Sequence, residues 1–253
     1  MKNRVVSQYL FQRHIKSLIL AYIYAIVILI VMPLMFAIIS GSFGTFSIGN
    51  TFKGIDTGLI TTFILGGMAL LSYEDYKFLI QNSISRNTFF KNQVSSFGFI
   101  ILIGAMFDEL YSLITRFFLG GTTLYQSWYG NFITNATLSE LMGFLYHILW
   151  LLAVVATGLA VGSFLSLFSK KVQRLIIIGS FVAFVVLLGI IFSASNRNTI
   201  AVTWIADFAK FILGYQGQEI VTPIFLMLFY VIWSVIMVLI SRIFYNRKQI
   251  KRV

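Results

Sequence analysis

The sequence has 253 residues and a net charge of +11, with 58% hydrophobic and only 11% charged residues. Soluble domains carry about 25% charged residues, so this composition excludes an ordinary water-soluble globular protein. The chain contains no cysteine, which excludes disulfides, thiolate nucleophiles and cysteine-ligated metal sites. Its basic residues lie in short segments between apolar runs, which favours the lipid bilayer over nucleic acid as the anionic partner.

The N-terminal segment 1–17 is basic and precedes a long apolar run. Its apolar residues share one helical face, which predicts an amphipathic helix in the membrane interface; a simple basic flank of the first span is the alternative. The run 18–39 is longer than the ~7–15-residue core of a secretory signal, and no small-residue cleavage site follows it. We therefore predict a retained span.

Six apolar segments alternate with polar gaps along the chain, and a span needs roughly 20 apolar residues. The segments are 18–39, 57–72, 93–113, 141–168, 175–194 and 220–241. We predict that each forms a transmembrane helix. The expected fold is therefore an all-α, multi-pass membrane protein with six transmembrane helices in a single domain over 1–253.

Lysine and arginine concentrate in alternate gaps. The segments 1–17, 73–92, 169–174 and 242–253 hold 15 of these residues, whereas the remaining gaps hold 4. Because short cytoplasmic loops retain basic residues, this alternation predicts that both termini are cytoplasmic.

The stretch 73–90, "YEDYKFLIQNSISRNTFF", is polar and lies between two apolar segments. Apolar residues recur in it at helical spacing, namely Tyr73, Tyr76, Ile80 and Ile84. This spacing predicts a short amphipathic helix, and Ser85 is a good N-cap for a second helix. Phe89 and Phe90 are expected to be exposed. One interpretation is a solvated turn on the lipid headgroups, and the other is a docking element over 73–92 for a cytoplasmic partner.

The segment "NSISRNTFF" (82–90) resembles the Asn-Gly-(Ile/Val)-Ser-Arg-x-x-Phe-Phe loop of ABC-2 type permeases, the membrane subunits of ATP-driven bacterial exporters. The sequence departs from that pattern at Ser83, where glycine is usual. The order of elements is also similar: a basic N-terminal segment, six spans, a coupling helix between spans 2 and 3, and an outer amphipathic helix before span 6.

The resemblance implies a separate cytoplasmic ABC ATPase subunit, which would bind the ATP and magnesium, and a second permease subunit in a homo- or heterodimer. It implies the bacterial cell membrane as the location. The ATPase-coupling surface would comprise Glu74, Asp75, Tyr76, Phe78, Ile84, Ser85, Arg86, Phe89 and Phe90. Within it, Glu74 and Asp75 would offer the ATPase a negative patch.

Three ionisable residues lie inside predicted spans: Asp108, Glu109 and His147. Such residues are candidates for function. All three lie near span ends, so snorkelling or pairing, for example with Arg116, is preferred over a proton relay, and their roles stay open. Small residues recur every four positions at Gly158, Gly162 and Ser166. This spacing predicts close helix packing, within one subunit or between two.

The segment 203–217 carries an apolar stripe opposite Asp207 and Lys210. We predict an amphipathic helix there, and the resemblance implies a gate at the outer mouth of the path. The gate residues would be Trp204, Phe208, Phe211 and Ile212; lipid anchoring is the alternative.

The sequence contains no phosphate-binding loop, no H-E-x-x-H and no G-x-S-x-G motif. No catalytic, cofactor-binding or metal-binding residue is therefore predicted in this chain. The expectation is the non-catalytic subunit of an exporter for a hydrophobic or amphipathic cargo, such as an antimicrobial peptide or drug. The alternative is a membrane scaffold or sensor that binds a partner through 73–90.

Overall fold

In a computed structural model, the chain folds almost entirely into helices. The structure describes residues 2–53, 55–120, 123–196, 200–216, 219–220 and 222–247. The helices are α1 (Lys2–Ile39), α2 (Ile48–Lys53), α3 (Thr57–Leu70), α4 (Tyr73–Gln81), α5 (Arg86–Leu119), α6 (Leu124–Tyr129), α7 (Ala136–Leu165), α8 (Lys170–Asn196), α9 (Ile200–Leu213) and α10 (Ile224–Arg247). A 3₁₀ turn, Phe43–Thr45, follows α1, and the two-residue strands Tyr215–Gln216 and Glu219–Ile220 pair antiparallel before α10.

Five helical stretches among the described residues are long and apolar enough to cross a membrane. These are Asn3–Ile39, Thr57–Gln81, Arg86–Phe118, Ala136–Leu165 and Ile224–Arg247. The all-α prediction is confirmed, and each stretch overlaps one predicted span. The remaining predicted span, 175–194, lies in α8, which is not one of the five; the side chains of α8 from 190 onward lie outside the described residues.

Helix α7 is the centre of the bundle and contacts α3, α5 and α10, while α1 packs on α5 and α3. The main core consists of Leu18, Tyr22, Leu65, Ala69, Phe97, Ile100, Ile101, Ala105, Leu151, Val155 and Leu159. In a membrane the surrounding lipid is as apolar as these side chains. Close packing and polar contacts between helices therefore hold this core together, rather than removal from water.

Gly158 and Gly162 lie where α7 crosses α3. A Cβ on Gly158 would approach the carbonyl oxygen of Gly66 to 2.8 Å, and a Cβ on Gly162 would overlap the carbonyl oxygen of Leu70. The two glycines thus permit close approach of two helices of the same chain. Ser166 instead follows the last residue of α7, where its hydroxyl donates to the Ser163 carbonyl at 2.6 Å.

Helix α1 is one helix of 38 residues and differs from the predicted separate interfacial helix over 1–17. Residues four apart on one face are buried, namely Val6, Leu10, His14, Leu18 and Tyr22. At the N-terminal end this face packs on α4, α5 and α10. The apolar side of segment 1–17 therefore contacts protein, where an interfacial helix would contact lipid.

Helix α8 is the least enclosed of the long helices. Its side chains from 177 to 187 are all exposed, and they include Phe181 and Phe184, which are 67% and 58% exposed. Such apolar exposure is compatible with lipid and not with water.

Candidate functional site

Helix α4 and the elbow that follows it, residues 82–85, connect α3 to α5. Ser83 adopts the left-handed conformation, with φ of 61°. Its backbone N–H donates to the Ile80 carbonyl at 3.0 Å. The N–H of Ile84 donates to the Leu79 carbonyl at 3.1 Å. These two bonds form a Schellman turn, in which glycine is the usual left-handed residue. The chain therefore makes this tight turn with serine at the left-handed position.

Helix α5 begins directly after the elbow. The Ser85 hydroxyl accepts a hydrogen bond from the Thr88 N–H at 3.2 Å, so the predicted N-cap is confirmed. One residue later, the Arg86 guanidinium donates to the Asn246 carbonyl at 2.5 Å. This bond connects the start of α5 to the end of α10.

The prediction that Phe89 and Phe90 are exposed is wrong. Both are buried, at 0% and 8% exposure, and so is Tyr76, at 0%. They contact Tyr245 of α10 in an aromatic cluster, with ring centroids 5.4 to 5.7 Å apart. The Tyr245 hydroxyl also hydrogen-bonds the Ser72 hydroxyl at 2.7 Å. These aromatic residues therefore hold α4, α5 and α10 together and are not available to a partner.

Asp75 is also buried, at 5% exposure, which corrects the expectation that it offers a partner a negative patch. An oxygen of its carboxylate lies 2.5 Å from a guanidinium nitrogen of Arg13, and the other lies 3.7 Å from Nε2 of His14. The Nδ1 of His14 is 2.8 Å from the Ser96 hydroxyl. Asp75 thus connects α4 to α1, and through His14 to α5.

The outer side of this region stays accessible. Glu74, Phe78, Ser85 and Arg86 are exposed, and we name these four residues the docking edge. The Phe78 ring stacks on Tyr9 of α1 with centroids 5.4 Å apart. Ile84 is half-buried against the aromatic cluster. The docking edge therefore presents one acid, one base and one aromatic ring above a buried inner side.

Helix α9 matches the predicted amphipathic helix but ends earlier, at Leu213. Gly214 has φ of 75°, and the short hairpin begins there. Trp204, Phe208 and Phe211 are exposed, at 58–65%. Ile212 is half-buried and packs beside α7 and α10.

Helix α6 supports the end of α9. The Tyr129 hydroxyl donates to the Leu213 carbonyl at 3.0 Å. Burial raises the pKa of Tyr129 to about 12, so this hydroxyl remains a donor at any physiological pH. Three of the four predicted gate residues therefore form an exposed apolar surface, and the end of the helix that carries Ile212 is anchored.

A second set of polar side chains, apart from those around Asp75, lies within the helices that can cross a membrane. The Asp108 carboxylate is 2.9 Å from Nε2 of His147, and it accepts from the Thr61 hydroxyl at 2.8 Å. The Tyr22 hydroxyl donates to Asp108 at 3.4 Å and also contacts Thr61. Four helices, α1, α3, α5 and α7, each contribute one residue to this polar cluster. Thr61 and Tyr22 were not singled out from the sequence, because single hydroxyls in apolar runs carry no pattern.

Glu109 has different partners from its neighbour. Its carboxylate lies 3.4 Å from Arg116, and Arg116 lies 3.0 Å from Glu140 of α7. Of the two expectations for this residue, snorkelling or pairing, the structure shows pairing, and the partner is Arg116. No group of three potential metal ligands occurs in the part of the chain that the structure describes.

Neither a protein-family model, nor a curated protein, nor a solved structure matches this chain significantly.

Proposed function

We propose that this chain is the membrane subunit of an ATP-driven exporter of the ABC-2 type in a bacterial cell membrane. It would have six transmembrane helices and cytoplasmic termini. A separate ATPase subunit would supply the energy, and a second permease subunit would complete the path. The cargo would be hydrophobic or amphipathic, such as an antimicrobial peptide or a drug.

One observation carries this proposal: α4 has an exposed outer side and a buried inner side that is tied to three long helices. Tyr76 contacts α5 and α10 through the aromatic cluster, and Asp75 contacts α1 through Arg13. Interiors this closely packed have low compressibility and transmit strain. A partner that grips the docking edge would therefore displace α1, α5 and α10 together.

In this mechanism the chain itself does no bond chemistry. Closure of two ATPase subunits would pull the two α4 helices of a dimer, and the path would change from inward-open to outward-open. Helix α9, with Trp204, Phe208, Phe211 and Ile212, would lie at the exit. The elbow would keep α4 and α5 at a fixed angle, because Ser83 and Ser85 fix its two ends by backbone and cap hydrogen bonds.

The central test is co-purification of the tagged chain from its native host. We expect an ATPase with a phosphate-binding loop to accompany it. Charge reversal with ring removal at the docking edge, Glu74→Lys with Phe78→Ala, should lower the recovered ATPase by about tenfold or more, because contact hot spots cost about 2 kcal/mol or more. Phe89→Ala is unsuitable for this test, since Phe89 is buried and its loss would damage the fold.

The matched control is Asp207→Lys with Trp204→Ala, an exposed acid and an exposed ring on the predicted outer side. It should leave ATPase recovery unchanged. If the docking-edge variant retains both ATPase binding and cargo-stimulated ATP turnover, α4 is not the coupler. Recovery of a partner that lacks a phosphate-binding loop would support the scaffold or sensor alternative instead.

The orientation has its own test, because the chain lacks cysteine. Single cysteines can be placed at two exposed positions, Asn87 in the first turn of α5 and Thr134 between α6 and α7. An impermeant thiol reagent added to intact cells should label position 134 and leave position 87 unlabelled until the membrane is opened. Thr134 is preferred to Asn135, whose side chain caps α7 at 3.2 Å. Labelling of position 87 from outside would contradict the proposed topology.

A further inference from the structure

A groove of about 310 Å³ runs between α5, α7 and α10. Its lining is almost entirely apolar, and includes Val94, Gly98 and Ile101 of α5, Val155 of α7, and Val238 of α10. All three helices are among those able to cross a membrane. The groove therefore lies at membrane depth, where hydrocarbon rather than water is available to fill it.

Two basic residues stand at one end of this groove. Lys91 precedes Val94 and Gly98 by three and seven residues, and Arg242 follows Val238 by four, so each lies on the groove-facing side of its helix. Both are exposed, and neither has an acidic partner within 4 Å among the described residues.

The helix geometry places Lys91 and Arg242 at a similar depth. The bond from Arg86 to Asn246 and the contacts of Phe89 and Phe90 with Tyr245 bring the start of α5 beside the end of α10, and the two helices run antiparallel. Lys91 is five residues after Arg86, and Arg242 is four residues before Asn246. At 1.5 Å per residue, each lies about 6 to 8 Å along its helix axis from that bond, in the same direction. An apolar groove thus ends beside a pair of uncompensated positive charges.

We infer that the groove binds one acyl chain of an anionic phospholipid, with the phosphate of that lipid between Lys91 and Arg242. Basic residues between transmembrane helices on the cytoplasmic side recognise anionic headgroups in this way. The inference does not depend on the proposed export function. It requires only that α5, α7 and α10 span the membrane.

Gly98 provides a direct way to fill the groove. A Cβ on Gly98 meets no atom within 4 Å, and Gly98 lines the groove, so Gly98→Leu introduces side-chain atoms there from an unobstructed Cβ position. Gly67 of α3 is the matched control, because its Cβ position is equally free and it does not line the groove. The role of the two charges is tested with the double variant Lys91→Gln with Arg242→Gln. Its control is Lys16→Gln with Lys171→Gln, which removes two exposed bases elsewhere in the chain.

The experiment uses the full chain in neutral detergent, titrated with dioleoyl phosphatidylglycerol or dioleoyl phosphatidylcholine and observed by native mass spectrometry. We expect one phosphatidylglycerol to bind about tenfold or more tightly than phosphatidylcholine, since each surface base near an anionic lipid contributes about a factor of five. The Lys91/Arg242 variant should reduce this preference to about twofold or less on the same basis. Gly98→Leu should weaken the binding of both lipids. Both control variants should bind the two lipids as the parent chain does.

Equal binding of the two lipids by the parent chain would overturn the inference. So would an equal loss of preference in the Lys16/Lys171 control, because the effect would then be general charge. Soluble glycerophosphoglycerol should not compete; if it displaces the lipid, the site recognises a headgroup alone and the groove plays no part. Helical circular dichroism checks the fold, and Gly98→Met repeats the filling test with a more flexible side chain.

Discussion

Asp75 and Asp108 are both buried carboxylates that face a histidine from another helix, yet their surroundings differ. Asp75 has a guanidinium partner, Arg13, whose side chain is 43% exposed. Its histidine, His14, is 3.7 Å away and binds Ser96 instead. Asp75 is as buried as Asp108, but one of its partners also reaches the surroundings.

Asp108 is enclosed by partners of another kind. Its closest nitrogen is that of His147, at 2.9 Å, and hydroxyls of Thr61 and Tyr22 complete its contacts. No arginine or lysine lies within 4 Å of it among the described residues. Water can replace a lost partner at Asp75 more easily than at Asp108, so the same kind of substitution should cost more in the polar cluster.

The largest effect is expected from His147→Leu. It leaves the Asp108 carboxylate without its nitrogen partner inside the bundle, and should lower the free energy of unfolding by about 3 kcal/mol. The measurement is unfolding by denaturing detergent, followed by circular dichroism. The double variant Asp108→Leu with His147→Leu should recover at least half of the loss, because no carboxylate then remains unpaired. A loss below about 1 kcal/mol for His147→Leu would contradict the comparison.

Gly162→Ala tests whether α3 keeps the two regions in place. Helix α3 carries Thr61 at the polar cluster and ends near Leu70, beside α4. Because the added methyl overlaps the Leu70 carbonyl oxygen, we expect a loss of about 2 kcal/mol in the same unfolding measurement. Gly67→Ala adds a methyl to open space in α3 and should be neutral or slightly stabilising. Equal effects of the two substitutions would show that the close contact has no energetic role.

Arg13→Gln should have a smaller effect, because its side chain is half exposed. We expect a loss of about 1 kcal/mol, the upper value for an exposed ion pair, because Arg13 is accessible while Asp75 is buried, and a loss that shrinks as salt is added. Lys16→Gln, an exposed base without an ion pair among the described residues, serves as the control. A cost for Arg13→Gln as large as that of His147→Leu would break the distinction between the two carboxylates.

The last effect is no larger, is expected at the elbow that follows α4, and has the opposite sign. Ser83 has a positive φ, which costs a side-chain-bearing residue about 1–2 kcal/mol. Ser83→Gly removes this strain but adds freedom to the unfolded chain, so the net gain should be about 0.5–1 kcal/mol. Ser83→Ala keeps the strained conformation and should give no gain. A destabilising Ser83→Gly would mean that the hydroxyl itself supports the turn.

Local patterns in the sequence predicted the helices well. Capping residues such as Ser85 act on backbone groups a few positions away. Apolar runs such as 93–113 identify the part of a helix that can cross the membrane, although α5 itself extends beyond that run at both ends. The burial of Phe89 and Phe90 was not predictable in this way. It depends on Tyr245, which is more than 150 residues further along the chain and reaches them only when α10 packs on α5.

The same limit applies to the two carboxylates. Asp108 and His147 were recognised as unusual because charge is costly within an apolar span. Their contact with each other, and with Thr61 and Tyr22, follows from how four helices face one another. Segment 1–17 was expected at the lipid interface because a helix that packs on protein and one that packs on lipid both have one apolar face.

The continuity of α1 has a mechanical consequence. His14 and Tyr22 lie on one face of α1, eight residues or about 12 Å apart. His14 lies beside Asp75, and the Tyr22 hydroxyl donates to Asp108. Because α1 is one continuous helix, one end cannot move along the helix axis unless the other end moves as well. A force that shifts Arg13 and His14 relative to α4 must therefore either bend α1 between His14 and Tyr22 or move the Tyr22 hydroxyl away from Asp108.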